Sequence, residues 1–284
     1  MAGRYFLLRK LLITCIITLT APVSAESLHY FIVDSVSRPF QITEDNQSKG
    51  GIVSDIISEV FANSEYQVEH DILPLKRIYL QMAEHKYKNW IAYDSPAWNS
   101  LAENGEMIQE PLFEVTHSYL TCHPQPELIQ SAEDIANKSI AIIKNFDYPQ
   151  LSPLAEEGKL NLIPVEGYKT GLQLVKANHV DAFVEMTLRL KYNQAKEHIA
   201  APCMRYVDFS ALIPAYTINL SLSKTSSPEL KKFVNDRVLS LKRSGRINEI
   251  VNSYLAPASD PIPSQDTPSQ DIHAPIDPIP RHQP

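Results

Sequence analysis

Glycine is scarce in this chain: 8 residues in 284. Phosphate cradles and dinucleotide turns need clustered glycines, because only a bare backbone lets phosphate oxygens come so close. Neither a P-loop nor a G-x-G-x-x-G is present, which removes the simplest nucleotide-binding readings. H-E-x-x-H and G-x-S-x-G are missing too, so there is no zincin helix and no nucleophile elbow. The 9 histidines are scattered, and no nucleophile stands beside a base in any readable pattern. No catalytic residue, metal site or cofactor is therefore expected. Basic clusters are absent and the formal net charge is −7. Both argue against nucleic acid and anionic membrane as partners.

Long apolar runs are also missing, except at the N-terminus. Arg4, Arg9 and Lys10 precede an apolar stretch from Leu11 to Thr20, too short to span a bilayer. Val23-Ser24-Ala25 fits a small-residue cleavage site. Residues 1–25 are thus expected to be a cleaved signal peptide and the mature chain periplasmic, with an uncleaved anchor as the alternative. Cys15 sits inside the apolar run, which is not where a lipid-acceptor cysteine belongs. Cleavage removes three basic residues and no acid, taking the net charge from −7 to −10. It leaves Cys122 and Cys203. An even count in an oxidising compartment suggests a disulfide; two buried free thiols are the alternative. A bridge across so long a loop contributes on the order of 4 kcal/mol by chain-entropy reasoning. Residues 257–284 are crowded with Pro, Ser, Gln and Asp in near-repeats such as DPIPSQD and DPIPR. They hold too little apolar surface to fold and are expected to form a disordered Pro-rich tail, with a docking motif as the alternative.

Between these ends, segments of period two alternate with segments of helical period, which predicts an α/β fold with helix-covered sheets. Strands are expected at residues 28–34, 66–72, 90–93, 139–143, 160–164, 181–185 and 216–222. Helices are expected at 52–61, after Pro74, and at 132–136, 148–157, 168–177 and 188–196. The stretch from Ser226 reads as a helix start, with Ser226 as N-cap, Pro228 in the first turn and Glu229 three residues after the cap. Leu230, Phe233, Val234, Val238 and Leu241 then mark one buried face, and Gly245 stops that helix.

Ligands of open α/β sheets bind outside the carboxyl ends of the strands. That rule selects Asp34, Arg38 and Phe40 after the first strand and Tyr93 and Asp94 after the third. It also selects Phe146, Asp147 and Tyr148, at the predicted N-terminus of the helix from residue 148, where free N–H groups would meet an anion. Glu185 ends the strand at 181–185. Arg77 lies opposite the apolar face of its helix, and Trp98 is a further cleft wall. Phe40 and Phe146 read equally well as core aromatics, Arg77 as a solvated surface residue and Asp147 as a helix cap. Asp94 and Glu185 carry most weight, because a strand-end carboxylate has few structural duties.

Four stretches, GGIVSDIISEVF, SAEDIANKSIAII, YKTGLQLVKANHVDAFVEM and INLSLSKTSSPELKKFVNDRVLSLKRSGRINEIVNSYL, stand in this order. Together they resemble the family 3 extracellular solute-binding proteins, although Asn137 and Asn178 stand where that family usually has Gly. The resemblance implies a two-lobed, type II periplasmic-binding-protein-like fold, each lobe a sheet flanked by helices, with a two-strand hinge. Lobe 1 would take residues 26–117 and return over residues 209–256 with the closing helices; lobe 2 would take residues 118–208. On this placement Cys122 and Cys203 both fall in lobe 2, beside the crossings, where a bridge would leave the hinge free.

The implied function is capture of a small polar or amphipathic solute by a monomer, for an ABC-type membrane transporter. The alternatives are a ligand-sensing subunit of a membrane receptor and a cleft dehydratase of the same fold. The amino-acid binders of the family carry an Arg after the third lobe 1 strand for the α-carboxylate and an Asp after the V-D-A strand for the ammonium. Here residues 94–99 read DSPAWN, and Met186 stands in the Asp position with Glu185 before it. Both halves of that clamp are missing or displaced. The expected ligand contacts are therefore Asp34, Phe40, Arg77, Tyr93, Asp94, Trp98, Phe146, Tyr148 and Glu185.

Overall fold

The structure, a computed structural model, describes residues 27–34, 36–124 and 128–255. The expected signal peptide and Pro-rich tail lie outside the described residues. Strand β1 (Ser27–Val33) buries Leu28, Tyr30 and Ile32 at every second position. A tight hairpin comes next, β2 (Thr43–Glu44) and β3 (Gln47–Ser48). Its two turn residues, Asp45 and Asn46, both take positive φ, the conformation that matches the twist of a two-residue hairpin.

Helix α1 (Ile52–Phe61) starts at Gly51 and buries Ile52, Val53, Ile56, Ile57, Val60 and Phe61. Gly51 has φ +115, and a Cβ there would meet the Phe40 carbonyl oxygen at 2.6 Å, so no other residue fits this close approach. Its N–H donates to the Tyr254 hydroxyl at 2.8 Å, and that hydroxyl donates to Asp55 at 2.6 Å. Then come β4 (Gln67–Leu73), α2 (Leu75–Ala83), β5 (Trp90–Asp94), β6 (Gly105–Met107) and β7 (Phe113–Val115). The chain enters a second sheet through β8 (His117–Thr121), β9 (Ser139–Ile143) and α3 (Ser152–Glu156). It continues through β10 (Asn161–Val165), α4 (Tyr168–Lys176), β11 (Ala182–Met186), α5 (Thr187–Lys196) and β12 (Arg205–Asp208). It returns to the first sheet with β13 (Tyr216–Ser223) and closes with α6 (Pro228–Arg243) and α7 (Arg246–Ser253).

The first sheet has the order β4-β1-β5-β13-β6, with β7 also paired to β13. The second has the order β10-β9-β11-β8-β12. β13 runs antiparallel to β5, β6 and β7. Ile218, Leu220 and Leu222 of β13 are fully buried and join the α1, α6 and α7 side chains in one core. The second sheet has its own two apolar clusters. The result is two lobes, each a sheet flanked by helices. The chain passes between them at Thr116 and again between Asp208 and Tyr216.

Cys122 and Cys203 form a disulfide across 81 positions. Cys122 lies just after β8 and Cys203 just before β12, and these strands pair antiparallel with Arg205 opposite Thr121. The bridge therefore staples two strands of one sheet. Among the described residues no helix is long and apolar enough to cross a membrane.

Two local expectations are corrected. The N-cap of α6 is Ser227, not Ser226: its hydroxyl accepts from the Leu230 N–H at 3.1 Å. The helix expected over 148–157 shrinks to Ser152–Glu156. Pro149 disfavours the helical region for Tyr148, whereas Pro153 suits a first helical turn. Tyr148 instead points inward, its hydroxyl accepting from the Ile143 N–H at 3.2 Å.

Candidate functional site

A cavity of about 540 Å³ opens between the two sheets. One wall is Tyr79 of α2, Tyr93 of β5, and Trp98 and Ser100 from the loop after β5. The other is His117 of β8, Phe146 and Tyr148 after β9, Glu185 of β11 and Arg189 of α5. Tyr216, where the chain returns, joins them; Trp98 Nε1 donates to its hydroxyl at 3.2 Å.

Of the residues expected to contact ligand, Tyr93, Trp98, Phe146, Tyr148 and Glu185 line this cavity, and Asp34, Phe40, Arg77 and Asp94 do not. Asp34 is exposed and holds the β2–β3 hairpin through Thr43 Oγ1 at 3.0 Å. Arg77 is exposed on α2, which turns Ile78 and Met82 inward. Phe40 is fully buried in the first core. Asp94 is 1% exposed, and its carboxylate is consumed by the loop after β5. It accepts from the N–H groups of Ser95 at 2.8 Å and Leu101 at 2.9 Å and from Ser100 Oγ at 2.9 Å. No helix begins at Tyr148, so the anion-binding helix terminus expected there does not exist.

Glu185 is 1% exposed and is held differently. Its Oε1 accepts from the Met186 N–H at 2.8 Å and its Oε2 from the Tyr148 hydroxyl at 3.2 Å. Burial raises its pKa above the usual carboxylate value, against the opposing pull of Arg189.

Arg189 is a site residue that the strand-end rule does not select. It stands three residues into α5, 2% exposed. Its guanidinium carbon lies 4.6 Å from the Phe40 ring centre and 5.1 Å from that of Phe146. Its Nε is buried without a hydrogen-bond partner, and no carboxylate among the described residues lies within ion-pair distance of it. Burial opposes its charge, but Tyr168, Tyr93 and Glu185 hold its pKa above the ordinary arginine value. The sequence did hold a signal. A cation in a first helical turn stands against the helix dipole, so it needs another reason to be there.

His117 is buried, and its Nδ1 has no hydrogen-bond partner. Burial, helped by the charge of Arg189, lowers its pKa to about 4, so the ring is neutral at pH 7. The buried Tyr168 hydroxyl is likewise without a partner in hydrogen-bonding geometry. Desolvation, then the charge of Glu185, raises its pKa. Three polar groups thus converge on one region with donor or acceptor capacity unspent, which buried groups rarely leave so.

No family model matches the sequence, and no curated protein matches it. Solved structures do. The ligand-binding core of GluR0 in complex with L-glutamate is 18% identical, with TM-score 0.62 over 83% of this chain and 100% of that one. The periplasmic VFT2 domain of BvgS from Bordetella pertussis is 13% identical, with TM-score 0.60 over 80% and 93%. AbpA of Streptococcus pneumoniae, an amino acid ABC transporter substrate-binding protein bound to L-arginine, is 15% identical, with TM-score 0.59 over 81% and 94%. At such identities the likeness is one of fold. The chain has the two-lobed, type II periplasmic-binding-protein fold.

Proposed function

We propose that this chain captures a small solute between its lobes, closes on it and releases it unchanged to a membrane partner. The observation that carries this reading is the cavity itself. It is walled from both sheets, and both strand-to-strand crossings lie beside it, at Thr116 and before Tyr216. Two short crossings permit hinge closure with each lobe rigid. Lobe 1 comprises residues 26–117 and 209–256, and lobe 2 residues 118–208. Tyr93, Trp98, Phe146, Tyr148 and Glu185 contact the solute, joined by Arg189, His117 and Tyr216.

The protein acts as a monomer in the periplasm after loss of residues 1–25. Its partner is an ABC-type transporter, by analogy with AbpA, or a membrane receptor, by analogy with the BvgS periplasmic domain. Binding without catalysis is favoured because the one buried carboxylate on the cavity wall among the described residues, Glu185, is already engaged by a backbone N–H and by Tyr148.

The test is thermal unfolding of the full mature chain with sugars, polyamines, amino acids and organic acids. A solute at a hundredfold excess over its Kd stabilises by about 2.7 kcal/mol, a Tm rise of about 5 to 10 °C for a chain this size. Small-angle scattering should show the chain contracting with the same solute. Absence of any shift across the panel overturns the reading.

A further inference from the structure

We propose that Arg189 receives the carboxylate of a singly charged organic acid whose apolar body lies against Tyr79, Tyr93, Trp98 and Phe146. This inference rests on the solute-binding reading and names the ligand class. It starts from an imbalance. A cation taken out of water costs several kcal/mol unless an anion or a set of acceptors compensates it. Arg189 is 2% exposed, lines the cavity, and has an Nε with no partner. Two aromatic rings flank it, Phe40 and Phe146. Rings hold a guanidinium by its faces and leave the N–H edge free. That edge is a fork of donors matched to a carboxylate.

The one buried acid on the cavity wall among the described residues shows the opposite condition. Each oxygen of Glu185 already accepts a hydrogen bond, from the Met186 N–H and from the Tyr148 hydroxyl. Asp147, the other acid on the wall, is solvent-exposed. The unmet demand is therefore for an anion and not for an ammonium. Its charge is set by the lining. Among the described residues no second Lys or Arg lines the cavity, and His117 is neutral at pH 7 with its pKa at about 4. One guanidinium suits one carboxylate; a phosphate dianion would be left undercompensated. The remaining wall is aromatic, and about 540 Å³ accommodates a ring or a branched chain. The anion site comes from the lobe opposite residues 94–99, where the sequence has no Arg.

The experiment uses the full mature chain and a panel of ring-bearing monocarboxylates, phenylacetate among them. Each is paired with its primary amide and, for phenylacetate, with L-phenylalanine. Thermal unfolding and isothermal titration calorimetry are read for the wild type, Arg189→Met and Arg189→Lys. At least one acid should raise Tm while its amide does not. Arg189→Met should abolish the shift, because it removes the cation that receives the carboxylate. Arg189→Lys keeps the charge and loses the fork; it should weaken the acid at least tenfold. Equal shifts by acids and amides, or shifts by α-amino acids alone, overturn the single-carboxylate assignment and leave solute binding standing. Retention of the acid's shift by Arg189→Met also overturns it. No shift with any compound, acids included, overturns both readings together.

Discussion

Two carboxylates, Asp94 at the end of β5 and Glu185 one residue before the end of β11, belong to the two facing sheets, and both are 1% exposed. From the strand-end rule they are equivalent. The structure separates them by the path the chain takes on leaving each strand. After β5 the chain folds back through residues 95–101, and four nearby donors, the Ser95 N–H, the Ser100 N–H and Oγ, and the Leu101 N–H, close on Asp94. After β11 the chain goes straight into α5, so Glu185 meets only the next N–H and a tyrosine from another loop. A carboxylate that serves as the knot of a loop has nothing left for a ligand. Glu185 also has both oxygens accepting hydrogen bonds, yet it faces the cavity and the Arg189 guanidinium. One closes its strand and the other stands one residue before the end of its own; the path of the chain beyond decides the duty.

The largest effect should come from untying the knot. Asp94→Ala leaves several buried donors without an acceptor, at a cost of about 4 kcal/mol, or roughly 8 to 16 °C in Tm. Thermal unfolding reads it directly. A loss below about 1 kcal/mol would return Asp94 to the ligand contacts.

The next effect is a pH slope on the second wall. His117 has a folded pKa of about 4 against 6.5 unfolded. A depressed histidine binds its proton more weakly when folded. Stability is therefore full above pH 6.5 and lost as pH falls toward 4, by about 3 kcal/mol in all. His117→Asn should flatten that part of the profile in denaturant titrations from pH 4 to 8. An unchanged slope would place the ring in water.

The smallest effect should come from Glu185→Gln. Glutamine keeps an acceptor for the Met186 N–H, so stability at pH 7 should change by less than about 1 kcal/mol. The raised pKa of Glu185 implies that its contribution is full below pH 4.5 and lost as pH rises through the folded value. The variant should remove that decline. A loss of several kcal/mol at pH 7 would make Glu185 a structural knot like Asp94 and erase the contrast.

Much of the scaffold was legible because it is periodic. Ile52 to Phe61 repeats at helical spacing and is buried on that face; Ile218, Leu220 and Leu222 alternate and are fully buried. The strand expected at 139–143 has those ends. Local rules failed where two of them competed, as when Pro149 halted a helix that the apolar pattern favoured. The site was only half legible. Tyr93, Trp98, Phe146, Tyr148 and Glu185 lie at strand ends or in the loops after them, and strand ends converge in any fold of this kind. Phe40 lies one layer too deep, and Asp34 and Arg77 face solvent. Arg189 escaped because the rule looks at strand ends, whereas this side chain comes from the helix beyond. Whether a side chain reaches a cavity depends on contacts made by residues distant in sequence, as with Phe40 stacking on Arg189 across 149 positions.

The placement of β13 also sets a timetable. β13 lies between β5 and β6, and the first turn of α1 is held by Tyr254, 203 residues later. The second sheet needs only residues 117–208. A chain emerging N-terminus first can therefore finish its second sheet while the first, although begun earlier with β1, β4 and β5, still lacks β13 and the closing helices. Pulse-labelled hydrogen exchange during refolding should show the amides of β8–β12 protected ahead of those of β1 and β5. The lobe that starts the molecule is the one that completes it.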